Sequence, residues 1–390
     1  MLARVTAVLC GLVLLASVGL AGYTYGTTTT APPEAEQTAA TQGSLDFLEE
    51  IVGALRGDAV RAPDDEKLVE GAVDGLLKAL DGPYARYYDE KAFEDLNAML
   101  DGGFSGIGVV LEEKPKGLII VTVLENTPAA RAGMEKGERI ISVDGESVAD
   151  KPLEQIVEAI KSEEDTDVTL GLAGGSKGKR ELTLTRQRIE IPNVESRLLS
   201  GDGGYVRMQS FTTGVGDDIR SEVTSLVDRG AKGIVLDLRG NPGGLLNEAV
   251  NVASVFIEDG PVVSVRERGS PRQSYNAKGD GIEGLPLVVL IDEGSASASE
   301  IVAGAIQDAD RGTLVGKQTF GKGTVQTIHR LKAGGGVKYT TAEYFTPSGD
   351  SIEDVGVTPD LKVLRPTAQL GAARKALEAI IAGDDPVDAG

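Results

Sequence analysis

A chain of 390 residues is long for one domain and suits two or three. Hydrophobic residues make up 41%, enough to build real cores, and the net charge of −21 repels nucleic acid and anionic membrane surfaces. With one cysteine (Cys10) and one histidine (His329), the chain can form neither a disulfide nor a histidine-cluster metal site within itself.

Residues 1–22 carry Arg4 and then a charge-free run from Val5 to Ala21. This is either a signal peptide, with Gly19 and Ala21 near a cleavage site, or an uncleaved membrane anchor. Both readings place the remainder outside the cytoplasm, in the periplasm or cell envelope or secreted, and the second tethers it through residues 5–21. Residues 23–43, rich in Thr, Ala and Pro, read as a flexible linker.

From Ser44 the pattern turns helical, with Leu45, Leu48, Ile51, Val52 and Leu55 on one face. A second helix is predicted over 64–80 and a third over 90–100, so that 44–102 form an N-terminal helical region for packing or dimerisation. Residues 103–188 read as a small β-rich domain: strands over 106–111, 118–124, 139–143, 168–172 and 181–185, and a helix bearing Leu153, Ile156, Val157 and Ile160. A half-open sheet beside one helix suits peptide capture by strand addition. Arg186 and Arg188, at its end, read as solvated charges at a domain junction, with coupling to the core as the alternative. Residues 189–366 alternate strand and helix as an α/β core, and 367–390 form a helix and an acidic tail.

Three segments of the core have the residue types for chemistry. Asp237-Leu-Arg-Gly-Asn-Pro-Gly-Gly244 leaves a strand through glycines, where bare N–H groups can hold negative charge, or is an ordinary strand-to-helix loop. Gly294-Ser-Ala-Ser-Ala-Ser-Glu300 sets a serine at a helix start, where amides can stabilise an oxyanion; Ser297 and Glu300 also fit a plain capping box. Phe320-Gly-Lys-Gly-Thr-Val-Gln326 frees Lys322 to reach inward between glycines, or leaves it a surface lysine. A general-base lysine must be neutral, hence desolvated or near positive charge. Strand parity puts Lys322, Thr324 and Gln326 on one face and His329 on the other, which weakens a Ser-His mechanism unless a bulge intervenes.

Together with Gly-Gly-Phe-Ser-Gly-Ile-Gly-Val (102–109) and Ala-Arg-Ala-Gly-Met (130–134), these segments resemble the C-terminal processing peptidases, or tail-specific proteases, over about residues 44–365. The resemblance implies a ClpP/crotonase-like core with an inserted, circularly permuted PDZ domain. It implies Ser297 as nucleophile, Lys322 as base, Gln326 supporting the lysine, and an oxyanion hole from Gly243, with Gly244 as the neighbouring alternative, and Ala298. The PDZ carboxylate loop would be Ser105-Gly106-Ile107-Gly108, leading into Val109 at the edge of the groove. It further implies cleavage of exported or membrane-associated proteins near free apolar C-termini, without cofactor or metal, and leaves self-assembly and an adaptor open. Two other readings stand beside it: a catalytically inactive PDZ scaffold, and crotonase chemistry on acyl-CoA, against which the export segment argues.

Overall fold

The computed structural model describes residues 7–8, 39–61, 64–80, 82–114, 117–149, 151, 153–190 and 193–386. The expected signal or anchor segment therefore lies almost wholly outside the described residues. No helix among the described residues is long and apolar enough to cross a membrane.

The core is organised by a six-stranded sheet in the order Val194–Leu198, Gly203–Met208, Gly233–Asp237, Leu287–Ile291, Thr313–Gly316 and Leu361–Lys362. The first pair is antiparallel and every later pairing is parallel. The two central strands are buried at every position, which is why both read as unbroken apolar runs. Their side chains alternate between two layers. Ile234, Leu236, Leu287, Val289 and Ile291 join the main cluster with helices Val215–Asp228, Leu246–Phe256 and Ala298–Asp308. Val235, Val288 and Leu290 face the helix Pro366–Ala382 through Ala373, Ala376 and Leu377. That last helix covers one face of the core sheet and is not an appended tail.

A second, antiparallel sheet runs Gln273–Asn276, Pro261–Glu267, Gly336–Phe345, Thr324–Arg330, with Arg86–Tyr88 added beside Gly336–Phe345. The hairpin 261–276 has no counterpart among the expected strands, although Gly269-Ser-Pro271 between its two arms is a turn signal. The first helix begins at Ala39, upstream of the expected Ser44, because Ala39, Ala40 and Gln42 are good helix formers that extend it.

The inserted domain packs the strands Val109–Lys114, Gly117–Val123, Arg139–Val143, Asp167–Ala173 and Arg180–Thr185 in that order against the helix Leu153–Lys161. Ala7–Val8 pairs with the outer edge of Val109–Lys114. The chain enters and leaves this domain through a two-stranded ribbon, Gly103–Gly106 against Gln187–Glu190. The expected strand over 106–111 is thus broken at Ile107-Gly108, where Gly108 takes φ 82°. Arg186 is not a solvated charge. It is buried, and its guanidinium donates to Ile160 O (2.9 Å), Ala159 O (2.6 Å) and Asp167 O (2.8 Å), closing the end of the helix. Arg188 is exposed and donates to Asp101 O at 2.9 Å, tying the ribbon to the N-terminal region.

Candidate active site

Three neighbouring parallel strands, Gly233–Asp237, Leu287–Ile291 and Thr313–Gly316, send their C-terminal loops to the same end of the sheet. Ligands of open α/β sheets gather at that end. The loops carry Gly243-Gly244, Ser297 and Lys322 respectively, so residues far apart in sequence converge by topology alone.

The loops are locked to one another by polar groups. Ser295 Oγ donates to Leu238 O and Ser299 Oγ to Asn241 O, both at 2.8 Å. Ala296 N donates to Asn241 O at 3.0 Å, and Phe320 N to Ser295 O at 3.0 Å. Asp237 is gripped by Arg239 Nε (2.8 Å) and Tyr205 Oη (2.8 Å), and Arg239 reaches Gln369 of the last helix at 3.1 Å. Two of the three serines in Ser-Ala-Ser-Ala-Ser therefore have structural work.

The middle one, Ser297, stands apart. It sits at φ 54°, ψ −114°, a strained conformation for a residue with a Cβ. Such a turn between a strand and a helix lifts a nucleophile's side chain clear of the backbone. Ser297 lines a cleft with Gly244, Ala298, Thr324, Val325 and Tyr344.

Glu300 fastens this turn to the lysine loop. It is fully buried, and its Oε2 accepts the N–H of Ser297 at 2.8 Å and that of Lys322 at 2.9 Å. Its Oε1 accepts Gly321 N (2.7 Å) and Thr319 Oγ1 (2.5 Å). The capping box is present, but the same carboxylate also reaches across to the next loop. Burial pushes the Glu300 carboxyl up, and the hydrogen bonds from Thr319, Lys322, Gly321 and Ser297 pull it back.

Lys322 is 1% exposed. Burial, and next the positive charge of Lys338, push its ammonium down from 10.5 to about 8, against the opposing pull of Glu353 and Glu300. Its Nζ lies 4.3 Å from the ring centre of Tyr84. Lys338 is itself buried, and desolvation followed by Arg86 pushes it to about 8 as well.

Gln326 is fully buried, but its Nε2 donates to Thr340 Oγ1 (2.8 Å) and Thr324 Oγ1 (3.3 Å) while its Oε1 has no hydrogen-bond partner. Lys322 makes no bond to that oxygen in this arrangement. A register shift between Val325 and Gln326 breaks simple parity along the strand. It lets Thr324 and Val325 both line the Ser297 cleft, while His329 is exposed.

The expected oxyanion pair also changes in detail. The Gly243 N–H is committed to Asn241 Oδ1 at 3.0 Å. Gly244 forms a parallel bridge with Phe211 that uses the Gly243 carbonyl and the Leu245 N–H. The Gly244 N–H is thereby left pointing away from Phe211, and Gly244 lines the cleft with Ala298. The turn tolerates no side chain: a Cβ on Gly243 would lie 2.9 Å from Ala298 N, and one on Gly244 2.3 Å from Phe211 O.

Sequence reasoning missed Tyr344, Tyr84, Lys338 and the bridging role of Glu300. Buried Tyr344 donates its hydroxyl to the Lys322 carbonyl and is in hydrogen-bonding contact with Ser297. Burial drives its phenol well above its ordinary pKa. The strand pattern around Tyr344 was legible; its partners were not.

In the inserted domain, Gly106, Ile107, Gly108, Val109 and Leu111 line a groove with Val157 and Ile160. Ile156, on the same helix, is buried in the domain core and does not line the groove, and the Ser105 hydroxyl donates to Lys161 O at 3.3 Å. Gly108 is irreplaceable, because a Cβ there would lie 2.3 Å from that of Thr127.

Comparison with known proteins bears on the family and its domains. Residues 202–363 match the model of peptidase family S41, 119–173 that of a PDZ domain, and 22–92 that of the activating protease CtpB N-terminal domain. A carboxy-terminal-processing protease of Bartonella bacilliformis is 38% identical over 324 residues, covering 81% of this chain and 74% of that protein. A probable CtpA-like serine protease of Staphylococcus aureus is 34% identical over 331 residues, covering 84% of this chain and 66% of that protein. Among solved structures, the photosystem II D1 C-terminal processing protease aligns with a TM-score of 0.52 at 28% identity, covering 90% of this chain and all of that one.

Proposed function

Because the chain belongs to the carboxy-terminal-processing serine proteases of peptidase family S41, we propose that Ser297 is its nucleophile and Lys322 its general base. The observation that carries the assignment is the shared oxygen of Glu300, which accepts both backbone N–H groups and so holds the two residues side by side. The strained Ser297 turn and the depressed Lys322 ammonium support it. Family membership sets aside the scaffold and acyl-CoA readings.

Neutral Lys322 takes the proton of Ser297 Oγ as that oxygen attacks the scissile carbonyl. The oxyanion is held by the Ala298 N–H at the helix start and an amide of the Gly243-Gly244 turn. Gly244 is the donor with its N–H uncommitted to Asn241, which occupies that of Gly243. One such donor is worth about 10²–10³ in rate. Lys322 then gives its proton to the leaving amine and activates the water that hydrolyses the acyl-enzyme. Gln326 Oε1, a buried acceptor without a partner, is the seat we assign to the lysine amine during turnover.

The substrate is an exported or membrane-associated protein with a free apolar C-terminus. Its end docks at Gly106-Ile107-Gly108, as a strand added beside Val109–Leu111 and over Val157 and Ile160, taking the edge that Ala7–Val8 holds in this arrangement. Cleavage of an unstructured, apolar-tailed protein by wild type, Ser297→Ala and Lys322→Ala tests the reading. Both variants should lose turnover and serine-probe labelling; full-rate cleavage by either would refute it.

A further inference from the structure

We propose that the N-terminal strap formed by residues 82–88 is one wall of the active site, with Tyr84 as a positioning residue for Lys322. The proposal rests on Lys322 being the base.

The strap is built into the catalytic sheet. Pro261–Glu267 pairs with residues 342–345 of the strand Gly336–Phe345 and leaves the rest of that edge open. Arg86–Tyr88 occupies it, in the register Gly336↔Tyr88, Val337↔Tyr87 and Lys338↔Arg86. The downstream end is pinned. Asp89 caps the helix Glu90–Leu100, and Tyr88, Phe93, Leu96 and Leu100 pack on Leu245 and Ile328. Leu245 directly follows the Gly243-Gly244 turn, so the strap and the proposed oxyanion donors share one apolar cluster.

This anchoring lays the Tyr84 ring over Lys322, with Nζ 4.3 Å from the ring centre, and sets Tyr88 against Lys338 at 5.6 Å. The groups facing Lys322 come from every side: Glu300 from the helix behind Ser297, Glu353 from the loop after the second sheet, Lys338 from the strand beside it, and Tyr84. Burial first, and then the charges of Glu353, Asp354 and Glu300, push the Tyr84 hydroxyl above its ordinary pKa. The ring acts in two ways of opposite sign. It keeps water from the amine, which favours the neutral base. Its π face attracts the ammonium, which fixes Nζ and favours charge by about 0.5–1.5 pH units.

The test is the pH dependence of kcat and KM for the full chain with an unstructured C-terminal tail, together with thermal melts. Tyr84→Phe keeps ring and cover, and should match wild type within twofold. Tyr84→Leu keeps an apolar cover without the π face, and should move the rising limb to lower pH by about 0.5–1.5 units. Tyr84→Ala admits water; its limb should lie alkaline of that of Tyr84→Leu. Its kcat near neutral pH should fall about tenfold or more, with KM little changed. If the limbs of all the variants coincide with wild type, the wall is merely structural and the proposal is overturned, whatever happens to the rate. If Tyr84→Ala does not fold, Tyr84→Leu decides alone. Full activity in Lys322→Ala would instead remove the base assignment itself, so the two failures are distinct.

Discussion

Replacing Lys322 by Met should abolish cleavage and yet stabilise the protein at neutral pH. The side chain is 1% exposed and its ammonium is depressed from 10.5 to about 8, chiefly by desolvation. At about 1.4 kcal/mol per pH unit, keeping that proton in the folded state costs roughly 3 kcal/mol. Met matches the length and shape of the stem without the charge. The backbone bonds of position 322, its N–H to Glu300 and its carbonyl to Tyr344, are unaffected by the exchange. Loss of the contact with Tyr84 takes back about 0.5–2 kcal/mol, and loss of the amine's remaining polar contact takes back more, leaving a net gain of about 1 kcal/mol. The sign also sets a pH window. A lysine whose folded pKa is lowered binds its proton more strongly in the unfolded chain between about 8 and 10.5, so wild-type stability rises with pH through that interval. Lys322→Met lacks this rise, and the gap between the two should narrow from neutral pH to about 10. Urea unfolding at several pH values measures it. A variant no more stable than wild type at neutral pH, or a gap independent of pH, would refute the claim that burial holds this amine near neutrality.

Ser297→Ala and Ser297→Gly should both be inactive, but the glycine variant should be more stable by about 1 kcal/mol or more, because only glycine relieves φ 54°. Equal stability in urea would mean that the turn is unstrained. Glu300→Gln replaces one of two oxygens that together accept four donors by an amide that is itself a donor, and should cost about 2–4 kcal/mol with a large loss of kcat. Near-wild-type unfolding would show that the carboxyl is protonated and bears no such bridge. Gly108→Ala, which drives a Cβ to within 2.3 Å of Thr127, should weaken binding of an apolar C-terminal peptide about tenfold or more by fluorescence anisotropy, with serine labelling of the core intact. Unchanged affinity would place the peptide elsewhere.

Much of the plan is legible in residue order. Leu287–Ile291 and the helix that follows it announce themselves by an apolar run, small residues and a Ser-x-x-Glu start. Gly108, Gly243 and Gly244 stand where only glycine fits. These are local signals, since a strand buried on both faces, a helix start and a positive φ each leave their mark on adjacent residues. Family likeness then singled out Ser297 and Lys322. It could not say that the Gly243 amide is taken by Asn241, that the last helix covers the core sheet, or that Gln326 Oε1 stands without a partner. Nor could it place Tyr84 on Lys322, 238 positions further along the chain. Desolvation and ring contacts belong to the neighbours that folding brings from elsewhere, and those neighbours are not written beside the residue they act on. Which groups can react follows from residue type and spacing; whether the amine at 322 can give up its proton is decided by what the tertiary structure packs around it.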